Sequence, residues 1–366
     1  MSQDLKDKTL DELERIVVDL GQKTYLAKYI FQFIHVENAT GISQITPLSK
    51  AFREQLVKQG YTISRLSLAD KQTDGDGTAK YVFTLGDGNR VETVLLLDGK
   101  RRTLCVSTQA GCAMGCAFCA TARIGFKANL TAGQIVDQVN VVERDASSVE
   151  RTNDDIRNTA LPRGRLSADA RRISNIVYMG MGEPLANYNA TMKSLAILNH
   201  PAGKNIGIRH ITLSTCGLIP AIRKLAREEI RPRLAVSLNA PTDAMRTRLM
   251  PINARHPIAE LMKALRFYQE RIRQRVTFEY VMIKGLNDST SHAKILVKLL
   301  SGFLCNVNLI EHNPYPGCEF AGSSRERMTK FASVLESAGV ETTVRFRMGR
   351  GIKAACGQLG ADWIKE

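Results

Sequence analysis

From residue 103 onward, short runs rich in β-branched and aromatic residues alternate with amphipathic stretches of helical period, and chemistry-bearing motifs begin where those runs stop. The spacing predicts strands over residues 103–108, 173–179, 210–214, 233–238, 276–283 and 306–310, with a last extended piece over 341–346. Helices are predicted between them, over 132–143, 190–198, 219–227, 257–273, 291–300 and 325–337. This alternation calls for an α/β fold with a parallel sheet, because parallel neighbours must be joined through a crossover. Six such units point to a partial (β/α)6 barrel, whose strands open their carboxyl ends on one face. Behind successive strands come a cysteine loop, Gly180-Met181-Gly182-Glu183-Pro184, Ser214-Thr215-Cys216-Gly217, Ser237-Leu238-Asn239, Lys284-Gly285-Leu286-Asn287-Asp288 and Glu311-His312-Asn313-Pro314. These segments are expected to surround one pocket.

The segment ahead of the barrel reads differently. Thr9 and Glu12 make a capping-box pattern, after which Leu13, Ile16, Val17 and Leu20 recur at helical spacing, and further helical runs cover 25–35 and 49–60. Residues 1–75 are therefore expected to form a small helical accessory domain. Residues 80–85 and 91–97, separated by Gly86-Asp87-Gly88-Asn89, read as a β-hairpin, which gives a linker over 76–100 and a barrel over 101–366. The polar stretch 146–170, with Pro162 and Gly164, reads as a surface insertion.

The cysteine loop is Cys112-Ala113-Met114-Gly115-Cys116-Ala117-Phe118-Cys119. Three thiolates from one tight loop can hold three irons of a cubane and leave the fourth iron free for another ligand. The other readings are a zinc site and a redox pair on Cys116 and Cys119. Zinc normally wants a second close Cys or His pair, whereas Cys105, Cys216, Cys305, Cys318 and Cys356 are scattered singly. The Cys-x3-Cys-x2-Cys spacing, with an aromatic before the last cysteine, resembles the radical S-adenosylmethionine (SAM) superfamily. That resemblance implies one [4Fe–4S] cluster per chain on Cys112, Cys116 and Cys119, with SAM chelated at the open iron. Gly180, Gly182 and Glu183 match the superfamily element that meets the methionyl ammonium.

Longer runs narrow the resemblance. Arg102 to Cys112, Ile124 to Leu130, Met179 to Leu185, and Arg350 to Gln358 with its Ala355-Cys356-Gly357-Gln358 core are similar to the RlmN family of dual-specificity RNA methyltransferases. The likeness covers nearly the whole chain, including a small helical domain before the barrel. It implies methylation of carbon 2 of an adenosine in the peptidyl transferase centre of 23S rRNA and in tRNA. Carbon 2 is electron-poor and does not attack a sulfonium methyl, so the family uses two SAM molecules per turnover. One methylates a cysteine, by position Cys356; the second yields a radical that takes hydrogen from the S-methyl group, and the carbon radical adds to the base. Cys105 would then attack Cys356, form a transient disulfide and free the product. Glu92 matches the family's proton acceptor, and Ser214, Ser237, Leu238, Asn239 and Asn313 would be further SAM contacts. The family pattern has histidine where this chain has Asn239. The carbon 8 adenosine methyltransferases of antibiotic resistance, which share the two-cysteine chemistry, are the nearest alternative.

Charge agrees with a polyanionic partner. The net charge is +15, and since residues 1–75 hold ten basic and ten acidic side chains, the whole surplus lies in 76–366. Clusters at Lys100 to Arg102, Arg163 to Arg172, Arg266 to Arg275 and Arg345 to Arg350 favour RNA or DNA over a small metabolite. Eight cysteines without a secretory or membrane-spanning pattern suggest a reducing cytoplasm and no membrane partner. The expected partners are unassembled or precursor 23S rRNA, tRNA, and a flavodoxin or ferredoxin as electron donor, with the enzyme a monomer. A basic RNA-binding assembly factor with a structural zinc is the reading from another class.

Overall fold

The computed structural model describes residues 3–156, 172–345 and 349–364. Three helices open the chain: α1 (Leu10–Asp19), α2 (Leu26–His35) and α3 (Lys50–Lys58). The capping box at α1 forms as expected, with the Thr9 hydroxyl accepting from the Glu12 backbone and the Glu12 carboxylate accepting from the Thr9 N–H. Leu13, Val17, Ile30, Phe31, Phe52 and Leu56 close the space between them.

The rest of the described chain is organised by one ten-stranded sheet. Its first four strands, β1 (Ser67–Thr73), β2 (Ala79–Thr84), β3 (Arg90–Asp98) and β4 (Arg101–Cys105), are antiparallel. From β4 the pairing turns parallel through β7 (Asn175–Tyr178), β8 (Ile211–Thr215), β9 (Arg233–Ser237), β10 (Val276–Met282), β11 (Cys305–Glu311) and β12 (Glu341–Arg345). The six predicted barrel strands are β4 and β7 to β11, and the last extended piece joins as β12. A separate two-stranded ribbon, β5 (Gln109–Ala110) with β6 (Ala128–Asn129), frames the cysteine loop and the short α4 (Ala120–Ile124). The barrel helices are α5 (Ala132–Ile156), α6 (Tyr188–Asn199), α7 (Ile219–Leu225), α8 (Asp243–Leu249), α9 (Ile258–Ile272), α10 (Thr290–Leu300) and α11 (Arg325–Ser337). No described helix is long and apolar enough to cross a membrane.

Three elements depart from the sequence reading. Strand β1 lies in the stretch expected to be helical; its residues are almost all exposed, so no apolar beat marked it. Helix α5 runs on through residues 144–156, so this part of the expected insertion continues the helix, while residues 157–170 lie outside the described residues. Helix α8 was not anticipated: it is short and strongly polar.

The inner strands explain how the barrel stays hollow. On β10, Val276, Phe278, Tyr280 and Met282 turn outward and are fully buried beneath the helices, while Thr277, Glu279 and Val281 line the inside. On β11, Val307 and Leu309 are buried outward, with Asn306, Asn308 and Ile310 inside. Barrel interiors are usually filled by branched aliphatic side chains; here the inward positions nearest the strand starts are polar or small.

The accessory helices are fixed to the barrel through charge. Lys6, fully buried, donates to the carboxylate of Asp137 on α5 at 2.6 Å and to the Ser64 carbonyl, and the other Asp137 oxygen accepts from the Leu66 N–H at 2.7 Å. A buried pair resists removal of one partner because the other is left uncompensated. Asp137→Ala is therefore expected to lower stability by about 3–5 kcal/mol, and Lys6→Met with Asp137→Leu to recover much of it. Urea unfolding of the three proteins measures this, and equal stability of wild type and Asp137→Ala would refute it.

Candidate active site

Two chambers lie end to end inside the barrel. The first, of about 170 Å³, sits at the carboxyl ends of the strands; the second, of about 680 Å³, extends toward the strand starts. Met179, Glu279, Cys356 and Leu359 line both, so they form the junction.

The loop carrying Cys112, Cys116 and Cys119 enters the first chamber between β5 and α4. Its shape depends on Gly111, whose φ is +72° and whose added Cβ would lie 1.8 Å from the Gly125 carbonyl oxygen. The loop is also tied outward: the Ala117 N–H donates to the Leu249 carbonyl at 2.9 Å, and Cys119 begins α4. Burial pushes all three thiols up, Cys112 to about 12, and the neighbouring cysteines raise Cys112 and Cys116 further. Crowded sulfurs of this kind suit a cationic metal centre, which supplies the missing positive charge. Among the described residues no three His, Cys, Asp or Glu side chains gather closely enough to hold a single ion. Three thiols presented to one chamber by a single loop match the ligand number of a cubane with one iron left open, so the donor set fits a cluster.

Around that loop the strand ends bring Gly182, Glu183, Ser214, Ser237 and Asn239 to the same chamber. Glu183 is buried; one carboxylate oxygen accepts from the Cys216 N–H at 2.8 Å and the other from the Leu185 N–H at 3.0 Å. Burial raises its pKa, opposed by these donors. Gly182 has φ +100°, and a Cβ there would meet Gln109 at 2.5 Å, so this turn packs against β5 only as glycine. Asn239 has φ +57°, a conformation asparagine tolerates better than most residues. Its side-chain oxygen accepts from the Val281 N–H at 2.9 Å and its amide nitrogen contacts the Met250 sulfur at 3.2 Å.

Leu238 and Asn313 are not among the residues that line either chamber. Leu238 is fully buried and lines neither chamber. Asn313 also lies outside both walls; its amide donates to the Glu311 carbonyl at 3.1 Å and the Cys356 carbonyl at 3.4 Å, and its side-chain oxygen is buried without a partner.

The two remaining cysteines divide as the chambers do. Cys105, at the end of β4, lines only the second chamber, and Cys356 stands at the junction. Desolvation, and then the neighbouring Cys356, push the buried Cys105 thiol up, while Cys356 itself is exposed by area, facing the open chamber. The segment carrying Cys356 is held from three sides. The turn between β1 and β2 holds it through Asp76 to the Gly349 N–H (2.9 Å) and Asp74 to the Gly351 N–H (3.1 Å), and β3 through Glu92 to the Gly360 N–H (2.9 Å). The cluster loop holds it through the Ala120 N–H and Thr121 hydroxyl, which donate to the carbonyls of Gly357 and Leu359, both at 2.8 Å. Gln358 reaches the Pro314 carbonyl at 2.8 Å.

Glu92 lines neither chamber. It is buried, pairs with Lys80 at 3.4 Å and faces the returning terminal segment, and burial raises its pKa although Lys80 opposes the shift. Sequence reasoning missed Arg246, which is fully buried and donates to the carbonyls of Cys216, Ser237 and Leu238, joining the ends of β8 and β9. It also missed the carboxylates of Asp74 and Asp76.

Comparison with known proteins bears on the same residues. The family described as the radical SAM superfamily matches residues 106–294, and the ribosomal RNA large subunit methyltransferase N-terminal domain matches residues 3–61. The probable dual-specificity RNA methyltransferase RlmN of Thermoanaerobacter sp. (strain X514) is 42% identical over 363 residues, 99% of either chain. The dual-specificity RNA methyltransferase RlmN of Syntrophobacter fumaroxidans is 43% identical, covering 98% of either chain. A solved radical SAM methyltransferase from Sphaerobacter thermophilus aligns with TM-score 0.87 at 43% identity, covering 98% of this chain and 99% of its own.

After anaerobic reconstitution the protein is expected to bind about four irons per chain. Cys112→Ser, Cys116→Ser and Cys119→Ser should each lose most of that iron and its visible absorbance, while Cys356→Ser retains both. Iron assay and optical spectra decide; a single bound zinc in wild type would overturn the cluster.

Proposed function

We propose, from the premise that this chain belongs to the RlmN family of radical SAM RNA methyltransferases, that it methylates carbon 2 of an adenosine in 23S rRNA and tRNA with Cys356 as the carbon carrier. The observation that carries this reading is the place of Cys356, whose side chain borders the cluster-side chamber and the chamber of Cys105 alike. A carrier thiol needs access to its methyl donor on one side and to its acceptor on the other, and the junction offers both.

Cys112, Cys116 and Cys119 would hold the cluster, and Glu183, Ser214 and Ser237 the polar parts of SAM. When bound, these two groups supply a methyl cation equivalent and a carbon radical able to take hydrogen from an S-methyl group. Cys356 first loses its proton and attacks the sulfonium methyl of SAM, so that a carbon–sulfur bond forms on Cys356 as the donor's breaks and S-adenosylhomocysteine leaves. After hydrogen abstraction, its methylene carbon bonds to carbon 2 of the adenine and links protein to RNA; the adduct then gives up one electron, for which the oxidised cluster would be the acceptor when bound, and its carbon 2 proton to a base. Cys105 then attacks the Cys356 sulfur: a disulfide forms, the sulfur–carbon bond breaks, and the released carbon accepts a proton. An external dithiol resets the pair with two electrons. Glu92 would take the carbon 2 proton only when the terminal segment moves away from it, since Gly360 occupies one of its oxygens.

An adenine in folded, stacked RNA cannot reach the inside of a barrel, so the base must be splayed out of its strand. The substrates of this reading are therefore unassembled or precursor 23S rRNA and tRNA, and the one-electron reductant is a flavodoxin or ferredoxin.

Cys356→Ala is expected to abolish RNA methylation while still cleaving SAM slowly, and Cys105→Ala to accumulate a protein–RNA adduct visible as a shifted band on denaturing gels. Mass spectrometry of nucleosides from wild-type reactions should give 2-methyladenosine. Full turnover by Cys105→Ala, or 8-methyladenosine as the product, would refute the corresponding part of the proposal.

A further inference from the structure

The second chamber has no part in holding the cluster cysteines, yet it is the larger space and its chemistry is specific. Its mouth, at the strand starts, carries the exposed Arg209, Arg231, Arg233 and Arg345, together with Arg275, which is paired with Glu341. Two basic clusters remote in sequence thus place Arg275 and Arg345 on one rim. Deeper in, Thr277, Asn306 and Thr343 give way to Glu279 and Asn308, both buried. One Glu279 oxygen accepts from the Asn308 amide at 2.8 Å, and Glu279 is also a member of the junction that includes Cys356.

We propose, resting on the RNA methyltransferase reading above, that this chamber is the nucleotide site: the target adenosine enters from the strand starts, the arginine rim holds its phosphates, and Glu279, positioned by Asn308, reads its Watson–Crick edge. That edge presents an acceptor at N1 and a donor at the 6-amine. A protonated carboxyl complements it, giving its O–H to N1 and accepting from the amine, whereas an ionised carboxylate only accepts. Burial is the leading influence on Glu279 and raises its pKa against the pull of Arg345 and Asn308, which favours the neutral form. Because the Asn308 amide donates to one Glu279 oxygen and holds it as the acceptor, guanine, with a donor at N1 and an acceptor at O6, mismatches the same group. Carbon 2 adjoins N1, so a base held by this edge turns carbon 2 toward Cys356 and carbon 8 away from it. The arrangement thereby ties base choice to the carbon that reacts.

The test uses anaerobically reconstituted full-length enzyme and two RNA stem-loops, one with the target adenosine and one with purine riboside, which lacks the 6-amine, in its place. Glutamine offers the same donor and acceptor as a neutral carboxyl. Glu279→Gln should keep kcat/KM within about threefold, and Glu279→Met should lose roughly 100-fold on the adenosine substrate. With purine riboside, which keeps N1 but lacks the amine, wild type should lose part of its kcat/KM and Glu279→Met should cost clearly less than it does on adenosine. Equal loss in Glu279→Gln and Glu279→Met, or no loss in Glu279→Met, overturns the assignment. Should Glu279→Met fail to load iron, Arg233→Gln with Arg345→Gln serves: KM for RNA should rise and the salt dependence of binding should drop by about two phosphate contacts. An unchanged salt slope removes the rim from the site. A wild-type enzyme that methylates neither RNA would instead count against the methyltransferase reading itself.

Discussion

The architecture rests on a parity rule observed along β10 and β11. Each strand sends bulky apolar side chains outward beneath the helices, and toward the strand starts it sends small or polar ones inward, so that half of the sheet is anchored from one side only. Had Glu279, Asn306 and Asn308 been aliphatic, the interior would have closed into layers, as parallel barrels commonly do. The desolvation of Glu279 and Asn308 is tolerated because they bond each other at 2.8 Å. From that single departure follow both chambers, the junction between them, and an inner route from strand starts to strand ends.

The second organising fact is that the cysteine standing at the junction belongs to no barrel strand. Cys356 is carried on a segment rich in left-handed turns, at Gly349, Lys353, Gly357 and Gly360, which cannot hold its own shape through regular hydrogen bonding. Its geometry is imposed by Asp74 and Asp76 from the turn between β1 and β2, by Glu92 from β3, and by Ala120 and Thr121 from the cluster loop. The antiparallel strands are thus part of the reaction chamber's construction, which gives a reason for extending the sheet beyond β4.

Much of this was legible in the sequence, for reasons that differ by element. The parallel strands carried β-branched runs and the helices a clear period, and the cysteine loop and the Gly180–Glu183 turn sat where strand ends required. Strand β1 was invisible because nearly every residue of it faces solvent. Leu238 and Asn313, which the resemblance offered with Ser237 and Asn239, line neither chamber with their side chains, because side chains alternate across a strand end and neighbours point apart. Glu279 left a readable trace: a strand covered on one face by helices should be apolar throughout if its other face is packed, and the polar beats at 277, 279, 306 and 308 broke that rule.

The long-range ties to the terminal segment also bear on when the enzyme becomes whole. Lys80 reaches Asp362 at 3.2 Å, and Asp76 reaches Gly349 across nearly the full chain. Domains fold as units while the chain is still being made, and the strands that frame the cluster loop precede Cys356 by more than two hundred positions in the sequence. A nascent protein can therefore hold a complete three-cysteine loop before Cys356 has left the ribosome, so assembly of the site ends with the docking of its last few turns.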